Sequence, residues 1–211
     1  MTDIERTDHR LEIAATVLLA LAAIATAWST YQSAVWRGNQ AEAQSASIAA
    51  RVESTRDAAV ANRQAQVDLA LFTQWIDAYA QHRTELTDFY RRRFRDEFIP
   101  AFEAWVATKP LENPSAPLSP FAMQQYKLDA SAKADALEEQ AAEHSRDVQR
   151  NVDRSDAYML AVVLFAIALF FAALSTRMPS RDMRVVLLAF GYVIFVGTVV
   201  WLATQPVSLS V

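Results

Sequence analysis

Ile13–Trp36 reads IAATVLLALAAIATAWSTYQSAVW and holds no charged residue. Ala157–Thr176 (AYMLAVVLFAIALFFAALST) and Val185–Thr204 (VVLLAFGYVIFVGTVVWLAT) are uncharged as well. An uncharged apolar run of about 20 residues is long enough to cross a bilayer as a helix. The spacing is uneven: residues 37–156 separate the first two runs, and only residues 177–184 separate the last two. The pattern predicts an all-α membrane protein with three transmembrane helices, at 13–36, 157–176 and 185–204.

The polar middle is mildly acidic. Residues 31–156 carry 15 Lys and Arg against 19 Asp and Glu, which argues against a nucleic-acid footprint, since that needs a basic face. The chain has no cysteine. Disulfides, thiolate nucleophiles and thiolate metal sites are therefore excluded.

Short Arg-rich loops stay in the cytoplasm. The link 177–184 holds Arg177, Arg181 and Arg184 against Asp182, so these three arginines are the topology-determining residues. A cytoplasmic link places the tail 205–211 and the section 37–156 outside, and the N-terminus 1–12 inside. Trp28, Tyr31, Trp36, Tyr158 and Trp201 then lie toward the outer interface, where amphipathic rings settle. A rival reading makes the first run a cleaved signal peptide, because Ala25-Thr26-Ala27 is a run of small residues. Against it, the leader is net negative and the uncharged run continues past Ala27 to Trp36. Both readings put the middle section outside.

Gly38, Gly191 and Gly197 are the only glycines, and no proline precedes Pro100. Ala41–Ala70 is rich in helix formers and contains nothing that stops a helix. The first span is expected to run outward as one rod. At 1.5 Å per residue, residues 31–67 alone would reach about 55 Å beyond the bilayer. Phe121–Met178 also lacks Gly and Pro, and Ser119-Pro120 offers a helix start. The returning helix is expected over about 120–176.

Both rods carry a three-four spacing that reads as a heptad seam. On the outgoing helix it is Gly38, Ala41, Ser45, Ile48, Val52, Thr55, Ala59; on the returning helix it is Ala130, Ala134, Leu137, Ala141, His144, Val148. Small seam residues bury little apolar area and give a weak core. The pair is expected to gain stability from a further helix or another subunit.

Residues 69–107 are rich in aromatics, with Phe94, Phe98 and Phe102 spaced for one helix face. Pro100 marks a kink or the first turn of a new helix. Residues 108–120 include PLENPSAPLSP and read as an extended, Pro-rich connector. The outer section is expected to be a helical hairpin or three-helix bundle, continuous with spans one and two.

Arg91, Arg92, Arg93 and Arg95 are a candidate anion or partner contact. The plainer reading is a solvated helix face with Arg93 paired to Glu97 at i, i+4. Glu138, Glu139, Glu143 and His144 lack the Glu-x-x-His spacing of a carboxylate-bridged metal bundle. His144 falls on the seam and reads as a packed histidine. No metal or cofactor site is assigned. No nucleophile elbow, phosphate loop or zinc-protease helix occurs, so no catalytic residue is assigned and the chain is not expected to be an enzyme.

Thr16, Thr26, Tyr192 and Thr198 are the main polar groups of the spans, apart from Ser and Thr near the run ends. Proton relays and ion pathways need buried ionisable groups, which argues against a self-contained transporter. A hydrophobically gated pore at an oligomer axis stays open. Ala22/Thr26 and Ala23/Ala27 are small-xxx-small pairs that favour close helix contact.

Ala27-Trp28-Ser29-Thr30-Tyr31-Gln32, Ala172-Ala173-Leu174-Ser175-Thr176-Arg177 and the Gly191-containing third span resemble a family of small bacterial membrane proteins of unknown function. That family has one N-terminal span, a helical section and two spans joined by a short basic turn. The matching motifs cover about a third of the chain, and the aromatic segment with its Pro-rich connector departs from the pattern. The resemblance implies multi-pass residence in a bacterial cytoplasmic membrane and contributes no activity.

The leading expectation is a non-enzymatic integral membrane protein that acts by assembly or partner binding through its outer bundle. The lipid bilayer and a homo-oligomer or membrane partner are its expected partners. A sensing module that works with a separate signalling partner is the second reading. A subunit of an oligomeric channel or transport complex is the third.

Overall fold

A computed structural model describes residues 3–110 and 112–208, with side chains from His9 onward. The elements are α1 (Asp3–Ala80), α2 (Thr84–Arg91), α3 (Ile99–Ala107), a single 3-10 turn (Pro120–Ala122), α4 (Asp129–Ser175) and α5 (Arg181–Leu202). No strand occurs among the described residues. α1, α4 and α5 each contain a stretch long and apolar enough to cross a membrane, with mean hydropathies of 2.0, 2.7 and 2.5. The chain divides into two compact units, one built from the segments up to Ser45 and from His144, the other from Ala46–Glu143.

The first unit packs the apolar ends of α1 and α4 with α5. Alanines and hydroxyls are prominent in its interior, beside the larger Leu18, Tyr158, Phe165 and Leu188, and its exterior is large and apolar. Ala15, Ala22, Ala161, Ala168 and Ala172 are buried, as are Ser29, Ser33, Ser155 and Ser175. Ile13, Val17, Leu21 and Ile24 on α1, and Val186, Phe190, Val193, Val196 and Val200 on α5, face outward. Lipid tails supply no hydrophobic drive between helices, so small residues and hydroxyls make the contacts.

The third span is therefore not isolated. Leu188 packs with Ala15, Leu18 and Ala172, flanked by Tyr192 and Phe195. Gly191 is a point of close approach: a Cβ there would sit 3.2 Å from Leu18 Cδ2 and 3.3 Å from the Ala168 carbonyl oxygen. Tyr192 donates its hydroxyl to the Ala14 carbonyl at 3.0 Å.

The basic link is shorter than its charge pattern suggested. Ser180 caps α5, accepting from the Met183 N–H at 3.4 Å, so Arg181 and Arg184 lie in the first helical turn. Arg177 stays in the turn, and Arg184 donates to the Met178 carbonyl at 3.2 Å.

In the second unit, α1 and the start of α4 form an antiparallel hairpin. Ser47 Oγ donates to the Ala141 carbonyl at 3.0 Å, and Ser54 Oγ donates to the Ala134 carbonyl at 2.9 Å. Lys133 lies 2.8 Å from Asp57 and 4.0 Å from Glu53. The hydrogen bond to Asp57 holds the Lys133 ammonium above its ordinary pKa.

The buried line on α1 runs through Ser47, Ala50, Ser54, Ala61, Asp68, Phe72 and Trp75. The expected line is on the opposite face: Gly38, Ala41, Ser45, Thr55 and Ala59 are exposed, and Ile48 and Val52 are 53% and 48% exposed. Serine explains the difference, because it is small enough for close packing and its hydroxyl bonds the facing carbonyl. On α4, Ala134 and Ala141 are buried, while Ala130, Leu137, His144 and Val148 are half-buried.

Three further expectations are corrected. α4 begins at Asp129, and Pro120 opens only the short 3-10 turn. Tertiary contact overrides propensity here, because Tyr126 leaves the helical path and bonds Asp68. Phe94, Phe98 and Phe102 are all buried, but residues 92–98 form turns and α3 starts at Ile99 with Pro100 in its first turn. The connector is turned rather than extended: Glu112 and Asn113 donate to the Lys109 carbonyl at 2.9 Å, and Ala116 donates to Asn113 at 3.0 Å.

Candidate functional site

The hairpin end carries an aromatic cap. Phe72 and Trp75 from α1 meet Phe94, Phe98, Phe102 and Trp105 in one buried cluster, with Phe121 and Tyr126 against it. Trp75 and Phe102 touch edge to face at 4.7 Å between centroids, and Phe72 and Trp105 do so at 5.3 Å. Edge-to-face pairs of this kind add about 0.5–1.5 kcal/mol each beyond the area they bury. Trp105 Nε1 donates to the Pro117 carbonyl at 2.8 Å and ties the connector to the cap.

Beneath the rings lies a fully buried carboxylate. Asp68 accepts from Arg95 Nε at 3.0 Å, from Arg95 Nη2 at 3.1 Å and from the Tyr126 hydroxyl at 3.2 Å. Arg95 also reaches Glu97 at 2.7 Å. The hydrogen bonds to Asp68 raise the Arg95 pKa further. Burial and the neighbouring Asp68 charge push the Tyr126 phenol up to about 12. The phenol therefore stays protonated as a donor, and the carboxylate is saturated by donors. This geometry clamps α1 to the segment before α3 and to the segment before α4.

A cleft of about 280 Å3 opens against the Trp75 and Trp105 side of the aromatic cap. Trp75, Ile76, Tyr79, Trp105 and Val106 form its walls, and Lys109 and Glu112 meet at its rim 3.6 Å apart. Trp75 Nε1 is buried and has no hydrogen-bond partner among the described residues. The cleft can take a small apolar or aromatic group.

The arginine run does not form one site. Arg91 pairs with the exposed Glu103 at 3.3 Å. Arg93 stacks over the Phe89 ring at 3.5 Å and donates to the Phe89 carbonyl, in place of the expected pairing with Glu97. Arg95 turns inward to Asp68. Arg92 lines a shallow recess together with Asp88, Arg91 and Glu103. Glu138, Glu139 and Glu143 are exposed beside the half-buried His144. Among the described residues no group of three His, Asp or Glu side chains is placed to hold a metal.

Two features escaped the sequence reading. Asp68 is one; its signal is its step of seven from Ala61, in phase with Phe72 and Trp75. Gln32 is the other. It is fully buried, donates Nε2 to the Ser208 carbonyl at 2.9 Å and accepts from the Ser208 N–H at 3.1 Å. Tyr158 donates to the Pro206 carbonyl at 3.2 Å. The tail is thus held against α1 and α4. No family model, curated protein or solved structure matches the chain.

Proposed function

We propose that the protein is a non-enzymatic, multi-pass membrane protein that acts by assembly or partner binding through the bundle at 46–143. The observation that carries this reading is the face of α1 opposite the serine seam. There Ile48 and Val52 are about half exposed, in heptad step with Ala41, Ser45, Thr55 and Ala59. A helix that packs through serines and leaves its apolar line open has a contact surface to spare. Native mass spectrometry of the full chain in nanodiscs tests the reading. Oligomers or a stably bound membrane partner are expected; monomer at every concentration overturns it.

Residues 37–156 and the tail lie outside the cytoplasm in this proposal, in a bacterial cytoplasmic membrane. Arg177, Arg181 and Arg184, at the junction of α4 and α5, support that orientation. The cysteine-free chain allows a direct test. Ser115→Cys should react with a membrane-impermeant maleimide on intact cells, and Met178→Cys should react only after lysis. The reverse pattern inverts the topology.

The cleft at Trp75, Tyr79 and Trp105 favours a second reading, a sensing module for a small apolar ligand with a separate signalling partner. A screen of small aromatic compounds that raises the melting temperature of the full chain, but not of Trp105→Ala, would support it.

A further inference from the structure

We propose that the surface facing this open line is a second copy of the chain, packed head to tail, with the outer face of α1 in one copy against the outer face of α4 in the next. The inference rests on the assembly reading and specifies its geometry.

The two outer faces are complementary in charge and shape. Around Ile48 and Val52 the α1 face exposes Arg51, Arg56 and Arg63. Neither Arg51 nor Arg63 forms an ion pair among the described residues, and Arg56 has only the exposed Glu53 within its own helix. The outer face of α4 exposes Asp135, Glu139 and Glu143 around the small Ala132 and Ala136. None of these three acids forms an ion pair among the described residues. Lys133, Ala136, Leu137, Glu139, Gln140 and Glu143 line a shallow trough on that face, and Lys133 is already paired with Asp57 of its own copy. The basic face carries branched apolar side chains, and the acidic face carries alanines that leave room for them.

Charge also selects against the symmetric alternatives. Packing α1 on α1 across a two-fold axis would set Arg51, Arg56 and Arg63 against their own mates. Packing α4 on α4 would do the same to Asp135, Glu139 and Glu143. Like charges across an interface are strongly unfavourable, whereas the mixed arrangement pairs opposite signs.

The hairpin itself supplies the alignment. Ser47 lies level with Ala141, and Ser54 lies level with Ala134. A rotation axis parallel to the hairpin keeps these levels in the neighbouring copy. Val52 then faces Ala136 and Ile48 faces Gln140. Arg51 falls within one helical turn of Glu139, and Arg56 falls within one turn of Asp135. Each copy offers one basic and one acidic face, so the contact repeats from copy to copy, and it gives a ring where the rotation about the parallel axis closes.

Disulfide trapping in the full chain, reconstituted in lipid, tests the geometry without background because the chain has no cysteine. Val52 and Ala136 point away from the seam on opposite sides of the hairpin, so they cannot bridge within one copy. Val52→Cys with Ala136→Cys should give a ladder of linked multimers on mild oxidation, while each single variant stays monomeric on a non-reducing gel. Reversing Arg51 and Arg56 to Glu should lower the yield roughly tenfold, and adding Asp135→Lys with Glu139→Lys should restore it. A linked dimer from Val52→Cys alone overturns the head-to-tail contact and leaves assembly standing. No ladder from a chain that native mass spectrometry shows to be oligomeric does the same. A chain that is monomeric by mass spectrometry overturns both.

Discussion

Replacing Asp68 by Ala should loosen the aromatic cap specifically. The substitution removes three hydrogen bonds at 3.0, 3.1 and 3.2 Å and strands the Arg95 guanidinium. Breaking a buried ion pair by removing one partner costs about 3–5 kcal/mol. Here the loss is smaller, because the Arg95 side chain is 22% exposed and keeps Glu97 at 2.7 Å. A loss of about 2–3 kcal/mol follows once solvent screening and the remaining partner are counted. That corresponds to roughly a 30- to 160-fold rise in the opening equilibrium of the affected segment. Hydrogen exchange by mass spectrometry on the full chain in detergent reads it directly. Amides of residues 94–107 should exchange faster by that factor, while those of α5 keep their rates. Asp68→Leu with Arg95→Met should recover most of the loss, since two apolar side chains avoid the desolvation of the pair. Exchange at 94–107 that stays within about twofold of the parent would show the pair to be worth no more than a solvated contact, and would refute the reasoning.

Three further outcomes are expected. Tyr126 has its folded pKa near 12 against about 10 when unfolded, so its contribution is complete below pH 10 and lost as pH rises from 10 to 12; in melts from pH 8 to 11.5, Tyr126→Phe should lower stability at pH 8 yet fall off less steeply above pH 10, and equal slopes would count against the assignment. Gly191→Ala should cost about 1–2 kcal/mol of stability, read as a lower melting temperature, because the Leu18 tip can shift but the α4 backbone cannot; Gly197→Ala, with nothing within 4 Å of its added Cβ, is the neutral control. Gln32→Leu removes both bonds to Ser208 and should speed amide exchange at 205–208 by roughly tenfold; unchanged exchange would mean the tail is held by other contacts.

The three apolar stretches were legible because an uncharged run of about 20 residues stands out in the sequence whatever its neighbours do. The unbroken course of α1 was legible for a similar reason, since nothing from Ala41 to Ala70 stops a helix. Which face of α1 packs was not. Ile48 and Val52 outrank Ser47 and Ser54 on any apolar scale, yet the serines bond the facing carbonyls and the apolar pair stays outside. The start of α4 was misplaced because Tyr126 obeys a partner 58 residues away rather than its neighbours. Asp68 was invisible for the complementary reason: one acid among many on a polar helix looks solvated until Arg95 and Tyr126 are brought to it. The arginine run was read as one feature because its members are adjacent in sequence. The turn at 92–98 separates them, sending Arg95 inward and leaving Arg91 at the surface.

The serine bonds of the hairpin repeat with a period of their own. Ser47 and Ser54 are one heptad apart, and so are the carbonyls they reach, Ala141 and Ala134. Sliding the two arms by one heptad would bring Ser54 to Ala141 and recreate a bond of the same kind. The ladder therefore defines the alignment only modulo seven. The absolute phase comes from groups that occur once: Lys133 beside Asp57, and Tyr126 beside Asp68. The cap works as the zero mark on a repeating scale. A variant that lacks it keeps its helices and has only Lys133 beside Asp57 as a unique mark in this unit.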